Sequence, residues 1–429
     1  MKKKMLVFLG AVLVAVPILA WVAAIGPAES ANFAVRQFSW LAGSVGFVVL
    51  FIQFALSSRV KSLEIDVGLD RMIHVHRITG IVGVSLIFLH LAALTLYELL
   101  RFGVLSLSLL KASGAIAFLV MLVVSFAALF YKRLGWRYES WKRVHFASYV
   151  VFPIVFIHSM YQSERMVLDG FVMQAYWWVL LAIWAAIVLY KVVIAIRVRS
   201  RPHTVTGVTP VSHDVTTVTF AGPALRHRPG QFMLVSVAMG DRVEPSHPYT
   251  IASSPRSDTL QISAKAVGDF SSALPDLQPG SRAFIEGPYG VFSFLNYDSL
   301  SLVFIAGGIG ITPFMSQLRY LRDTTLSRKV RLIWGNKTEE DLCFTDELEA
   351  MKRELSDFDF VHVMSHQDDW PGERGFITRE LVERHVHDKD DATFFVCGPP
   401  VMMEKVIPML GREMAIPGDR IRYERFALG

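Results

Sequence analysis

The chain has 429 residues, of which 52% are hydrophobic and only 19% charged, and its mean hydropathy is +0.40. Soluble globular chains carry about 25% charged residues, so this composition excludes a wholly soluble protein and equally a disordered, collagen-like or coiled-coil one. Two cysteines exclude a disulfide scaffold and a cysteine-rich zinc module. The net charge of +5 is mild and sits largely at the edges of apolar segments, which gives no support to nucleic-acid binding.

Apolar segments fill the first half, at residues 5–25, 38–56, 73–97, 112–130, 146–160 and 172–196. Most approach the ~20 residues a helix needs to cross ~30 Å of hydrocarbon, so six spans are expected. The first opens Met1-Lys2-Lys3-Lys4 and ends in small residues, which is also the form of a signal peptide. Its uncharged run exceeds the ~7–15 residues of a signal core, so a retained span is expected. Basic residues crowd the N-terminus, loops 59–71 and 132–143, and the end of the sixth segment at Lys191, Arg197, Arg199 and Arg201. The alternate loops carry mainly isolated Arg36, Arg101, Lys111 and Arg165. Both termini are therefore expected in the cytoplasm, with Cys343 and Cys397 as free thiols in a reducing compartment.

After Pro202 the pattern shifts to short β-branched runs at 205–211, 215–220, 232–237, 260–264 and 282–285, an antiparallel barrel or sandwich. From Leu302 strands alternate with helices: strands at 302–305, 330–334, 360–364 and 393–396, helices at 345–354 and 378–385. That alternation predicts a parallel α/β domain. The predicted fold is a six-helix membrane bundle (1–201), an antiparallel β-barrel (202–297) and a parallel-sheet nucleotide-binding domain (298–429).

Four histidines fall inside the spans. Intramembrane ionisable groups are costly and usually face a functional interior. His76 and His90 are fourteen residues apart, which at ~100° per residue leaves them ~40° apart on one face and ~21 Å apart along the axis. His74 points ~160° away from His90 and is excluded. His145 and His158, thirteen apart, diverge by ~140° on an ideal helix. A kink or bulge at the intervening Pro153 is expected to bring them to one side. Matched by depth, His76 with His145 and His90 with His158 would each supply both axial ligands of a haem; two histidines alone cannot complete a zinc site. The competing reading is a membrane anchor or transporter whose histidines relay protons or pack in the core, with a reductase fused behind it.

In the soluble half, Ala306-Gly307-Gly308-Ile309-Gly310-Ile311-Thr312-Pro313 follows a strand and opens a helix. Glycines there let the backbone approach a pyrophosphate, whose charge a helix N-terminus favours. Cys397-Gly398-Pro399-Pro400 places a second loop at the same sheet edge. Upstream stand His247-Pro248-Tyr249-Thr250, Lys265, the turn Gly268–Ser272 with Ser271, and Gly287-Pro288-Tyr289-Gly290. An aromatic with a hydroxyl neighbour can lie against a flavin ring, and the lysine and the turn offer charge and donors to a diphosphate.

These motifs in this order resemble the ferredoxin–NADP reductase-type flavoprotein module. Joined to six spans with paired histidines, the whole chain resembles the NADPH oxidase and ferric reductase superfamily, particularly its compact bacterial members. The first motif departs from the oxidases' common HPFT only at Tyr249. The resemblance implies that His247, Pro248, Tyr249 and Thr250 bind FAD, with Tyr249 and Thr250 at the isoalloxazine and its ribityl side, while Lys265, Gly268, Ser271 and Ser272 serve its diphosphate. It implies that Gly307, Gly308, Gly310, Thr312 and Pro313, with Cys397, Gly398 and Pro399, hold the nicotinamide dinucleotide. Thr312 would lie near the nicotinamide, Cys397 near the hydride-transfer site, and Phe426 would cover the flavin.

The expected function is electron transfer from cytosolic NADPH, with NADH the alternative, through FAD and two b-type haems to an acceptor across a cell (inner) membrane. The first acceptor is O2, giving superoxide, because the outer loops are short; a ferric chelate is the alternative. The lipid bilayer is an expected partner, and no nucleic acid or obligate protein partner is. Lys337 and Arg374 are candidates for a 2′-phosphate contact.

Overall fold

The computed structural model describes residues 2–24, 31–58, 69–105, 108–136, 138–163, 170–240, 242–324 and 326–425. The chain forms two compact units, Met1–Ile194 and Ala195–Gly429.

The first unit is helical: α1 (Lys2–Ala24), α2 (Ala31–Ser57), α3 (Leu69–Phe102), α4 (Leu109–Phe130), α5 (Tyr138–His145), α6 (Ser148–Ser163) and α7 (Gly170–Ser200). Long apolar runs in hydrocarbon must satisfy every backbone polar group within the segment, which only the helix does for a single strand of chain. Among the described residues, five stretches are long and apolar enough to cross a membrane: Ala31–Ser57, Met72–Phe102, Lys111–Phe130, Ser140–Met160 and Met173–Ser200. The first expected span corresponds to α1, whose described apolar stretch, Phe8–Ala23, is shorter. α4 starts where the Ser108 hydroxyl accepts the Lys111 amide at 3.3 Å, a cap that takes up one orphan donor of the first turn. An aromatic core that includes Phe47, Phe51, Phe152 and Trp177 joins α2, α6 and α7.

The irregularity expected at Pro153 lies elsewhere. Pro153 sits inside α6, and the break falls at Phe146 and Ala147, between α5 and α6. Around it the amides of Ala147, Tyr149 and Val150 each bond to the carbonyl three residues back, at 3.0, 3.1 and 3.0 Å. Pro153 has no N–H for the Tyr149 carbonyl and its ring crowds that carbonyl. The chain accommodates this in the preceding turn, which winds tighter than an α-helix. The Ser148 hydroxyl donates to the His145 carbonyl at 2.8 Å and so satisfies the carbonyl at the break.

The second unit holds two sheets. β1 (His203–Pro210), β2 (Val215–Ala221), β3 (Phe232–Met239), β4 (Arg242–Val243), β5 (His247–Thr250), β6 (Leu260–Lys265) and β7 (Arg282–Tyr289) pair antiparallel in the order β4-β3-β7-β1-β2-β6, with β5 also on β3. The path is open, so the expected antiparallel sheet is present and a closed barrel is not found among the described residues. The short helix α8 (Asp269–Ser272) follows β6.

The second sheet is parallel, in the order β11-β10-β9-β8-β12-β13, built from β8 (Ser301–Gly307), β9 (Lys329–Asn336), β10 (Phe358–Met364), β11 (Glu373–Arg374), β12 (Ala392–Cys397) and β13 (Ile421–Glu424). Helices α9 (Thr312–Arg322), α10 (Thr345–Glu354), α11 (Arg379–His385) and α12 (Pro400–Pro408) connect them. β8 is buried along its whole length. Leu302, Phe304 and Ala306 enter one core and Val303 and Ile305 the other, as a strand covered on both faces requires. β9 lies on one side of β8 and β12 on the other, so the connections part at the carboxyl ends of β8 and β12, where such sheets open a crevice for ligands.

The two sheets are tied by polar bonds. Arg319 of α9 donates through Nη1 to the Ala252 carbonyl at 2.8 Å while its other nitrogens grip Glu347 at 2.8 and 2.6 Å. Ser316 donates to the Ser253 carbonyl at 2.9 Å.

Candidate functional site

The crevice is built by two loops in van der Waals contact. β8 ends at Gly307, and Gly308–Ile311 form a tight 3-10 turn that enters α9 at Thr312, with Pro313 in its first turn. Gly308 has φ +50°, a left-handed conformation that favours glycine. Its carbonyl accepts the Trp334 indole N–H at 2.9 Å, which pins the turn to β9. The Thr312 hydroxyl donates to the Ile309 carbonyl at 3.1 Å and closes the turn. A Cβ on Gly310 would stand 2.4 Å from the Cys397 carbonyl oxygen and 2.8 Å from Gly398 Cα, and one on Gly307 would stand 2.8 Å from Pro399 Cδ. The two loops therefore meet because glycines at 307, 310 and 398 leave room for each other's backbone and for the Pro399 ring. Pro399 caps α12 and Pro400 begins it.

Cys397 ends β12 and is fully buried. Burial pushes its thiol well above its ordinary value and the nearby Glu424 carboxylate adds to that, so it is a neutral thiol suited to packing rather than to nucleophilic attack. Glu424 lies opposite Cys397 in the β12–β13 register. A Cβ on Gly290 would stand 3.1 Å from Glu424 Oε1, so the Gly287–Gly290 segment converges on the same point. No local signal in the strand Ile421-Arg422-Tyr423-Glu424 points to a role for Glu424. Phe426, the expected cover, lies outside the described residues.

On the antiparallel sheet, His247–Thr250 form β5 and pair with Phe232–Val235. The His247 ring stacks on Phe270 at 4.4 Å and Tyr249 does so at 6.0 Å. Burial raises the Tyr249 hydroxyl above its usual range, so it stays protonated. Pro248 is exposed, while the Thr250 hydroxyl is buried without a hydrogen-bond partner among the described residues, which leaves it available to a ligand. Ser271 is committed locally: it accepts from the amides of Val267 and Gly268, both at 3.1 Å, and donates to the Gly268 carbonyl at 3.1 Å. Ser272 is exposed.

Lys265 is also engaged. Its ammonium lies 2.9 Å from Asp214 and 2.8 Å from Asp341, and the two carboxylates raise its pKa through hydrogen bonds and charge against the opposing effect of burial. His213, Asp214 and Asp341 have ligand atoms close enough for one metal ion, but the lysine already supplies the cation that these carboxylates face. Lys337 and Arg374 are exposed. They stand at the carboxyl end of β9 and, through the pairing of Arg374 with Met364, at the carboxyl end of β10.

In the membrane unit the four histidines are half-buried and His74 is exposed. The His76 and His145 ring centroids lie 6.0 Å apart with planes at 60°. Two metal–nitrogen bonds of ~2 Å plus two half-rings span about that distance. The Nδ1 atoms of both rings are buried without a hydrogen-bond partner among the described residues. Lys191 of α7 is near enough to act on both rings electrostatically and donates to the Ser57 carbonyl at 3.1 Å and the Tyr149 hydroxyl at 2.6 Å. His90 and His158 lie further along the chain in α3 and α6. His90 lies against Ser39 and Gly43 of α2, and His158 against Gly114 of α4.

Three families of known proteins match successive parts of the chain. The family described as ferric reductase like transmembrane component matches residues 42–156, the FAD-binding domain family residues 202–293 and the oxidoreductase NAD-binding domain family residues 304–407. The reductase component of propane 2-monooxygenase from Rhodococcus jostii is 31% identical over 52% of this chain and 62% of its own length. The glycine betaine monooxygenase reductase of Chromohalobacter salexigens is 31% identical over 43% of this chain and 52% of its own. The chain thus spans less than two thirds of either relative. A flavohemoglobin from Malassezia yamatoensis solved with bound FAD and heme is similar in fold, with TM-score 0.51 at 16% identity over 94% of this chain and all of that one.

Proposed function

We propose, for a chain with the domain architecture of the NADPH oxidase and ferric reductase superfamily, that it carries electrons from cytosolic NADPH across a cell (inner) membrane to an acceptor on the far side. The close pair of imidazoles at His76 and His145 carries this reading, because ring centroids 6.0 Å apart suit two histidines that would together hold one haem iron. His90 and His158 would hold a second haem. When bound, FAD converts the two-electron chemistry of a nicotinamide into the single electrons that haems carry.

The chain's own groups bind and orient. His247, Pro248, Tyr249 and Thr250 hold FAD, with the Thr250 hydroxyl as a donor or acceptor at the flavin. Gly268, Ser271 and Ser272 form the turn that meets its diphosphate, and Lys265 neutralises that diphosphate by exchanging a carboxylate partner. Gly307, Gly308, Gly310, Thr312 and Pro313 receive the dinucleotide at the α9 N-terminus, with Gly398 and Pro399 opposite. Cys397 and Glu424 flank the nicotinamide, and Phe426 covers the flavin. Lys337 and Arg374 favour a 2′-phosphate, so NADPH is the donor and NADH the alternative.

O2, reduced to superoxide, is the proposed acceptor. The helix connections on the far side run only over residues 25–30, 103–108 and 164–169, and two of the four far-side cations are engaged: Lys111 pairs with Glu98, and Arg36 lies 4.4 Å over the Trp40 ring. A ferric chelate is the second reading, favoured by the family match over 42–156.

The test is the absorbance of detergent-purified protein before and after anaerobic NADPH, then with air or a ferric chelate. Two low-spin b-type haems per chain, reduced through FAD and reoxidised faster by O2 with superoxide formed, are expected. Faster reoxidation by the chelate selects the second reading, and a folded, flavin-loaded protein without haem overturns the proposal.

A further inference from the structure

The two histidine pairs are not seated alike. His90 Nδ1 lies 2.8 Å from the Ser39 carbonyl oxygen and 3.1 Å from Ser39 Oγ, and the Ser39 hydroxyl donates to the His90 carbonyl at 3.0 Å. Because that hydroxyl proton is spent on a carbonyl, both Ser39 oxygens can only accept from the ring. The proton therefore sits on Nδ1, and Nε2 keeps its lone pair. Ser39 is fully buried, so no water competes for these bonds.

One helical turn on, Gly43 meets the flat of the same ring: a Cβ there would stand 2.7, 3.0 and 3.1 Å from His90 Nδ1, Cγ and Cε1. Gly114 meets His158 in the same way, with 2.7, 3.0 and 3.1 Å to Cε1, Nδ1 and Nε2. Three ring atoms at nearly equal distances mean that each imidazole lies face-on to a glycine of a neighbouring helix. By contrast, the Nδ1 atoms of His76 and His145 have no hydrogen-bond partner among the described residues.

We propose that Gly43 and Gly114 are positioning residues that set the ring planes of His90 and His158, and that Ser39 fixes His90 in the tautomer presenting Nε2 to a metal. This inference rests on the bis-histidine reading above and deepens it. A ligating histidine that donates its other N–H to a carbonyl has its orientation and tautomer fixed and its basicity raised. A methyl group at either glycine would force the ring off its plane, since carbon atoms do not approach so closely.

The test uses the full-length protein in detergent with haem content and low-temperature EPR as readouts. Gly43→Ala and Gly114→Ala should each lower haem from two per chain toward one, or shift the low-spin g values of one haem only, with FAD content unchanged. Gly83→Ala is the control: its Cβ would stand 2.8 Å from Leu50 Cδ2, an equal crowding between α2 and α3 away from any histidine, and it should keep both haems with unaltered signals. Unchanged haem content and g values in both glycine variants overturn the proposal, as does an equal loss in Gly83→Ala. If one glycine variant does not fold, the other tests the same seat from the partner histidine. A wild-type protein without haem would instead overturn the underlying reading.

Discussion

Gly310 offers a direct test of the crevice. Substituting alanine places a Cβ 2.4 Å from the Cys397 carbonyl oxygen, 2.7 Å from its carbonyl carbon and 2.8 Å from Gly398 Cα. All three are backbone atoms, so no side chain can swing aside and the two loops must separate. Overpacking of this kind costs ~1–3 kcal/mol. At about 1.4 kcal/mol per tenfold in affinity, a nucleotide that needs both loops in place should bind ~5- to 150-fold more weakly. Anaerobic stopped-flow titration of flavin reduction with NADPH gives that dissociation constant, and FAD content reports on the separate flavin site. Gly411→Ala is the control, since its Cβ would lie an ordinary 3.7 Å from Ile421. An affinity within twofold of wild type, with unchanged melting temperature, would refute the role assigned to this contact.

His145→Ala should lower haem content from two to one per chain while NADPH still reduces the flavin at a rate within about twofold of wild type; loss of flavin reduction would overturn the order of carriers. Thr250→Ala should weaken FAD retention by ~2- to 12-fold, from the ~0.5–1.5 kcal/mol of one hydrogen bond, in a flavin-release titration. Asp341→Asn should cost the soluble unit about 1 kcal/mol, the scale of a partly exposed ion pair, in thermal melts at pH 7. The sign of its pH dependence follows from the pair. Lys265 has a raised pKa, so its contribution is complete below 10.5 and fades as pH rises through the raised value. Asp341 has a lowered pKa, for which the Lys265 hydrogen bond and charge outweigh the effect of burial. Its contribution is complete above 3.8 and fades as pH falls through the lowered value. The wild-type advantage should thus be level across neutral pH and vanish at both extremes; a difference that grows toward either extreme would refute the pairing.

Features carried by local pattern were legible from the chain alone. Apolar runs marked the helices, alternating strands and helices marked the parallel sheet, and glycines after β8 marked a turn. Features carried by distant partners were not. Nothing near Pro153 in sequence told that its crowding would be absorbed at Phe146 and Ala147 rather than at the proline. Lys265 reads as a free cation until Asp214 and Asp341 are brought to it from other elements. The facing of Glu424 and Cys397 depends on the parallel register of β12 with β13, which no short-range signal encodes. The open path of the antiparallel sheet likewise depends on which strands pair at its ends.

Arg319 has a consequence for how the soluble unit comes apart. It is nearly buried and holds Glu347 on α10 and the Ala252 carbonyl beside the antiparallel sheet with one guanidinium. Parting the two sheets would leave the Arg319–Glu347 pair intact but break the charge-assisted bond to the Ala252 carbonyl and the Ser316–Ser253 bond, at a cost of about 2–4 kcal/mol together. Neither sheet can melt first without meeting this cost, so heat should undo both in a single cooperative transition, and exchange of a bound nucleotide must proceed by movements smaller than the opening of one lobe from the other.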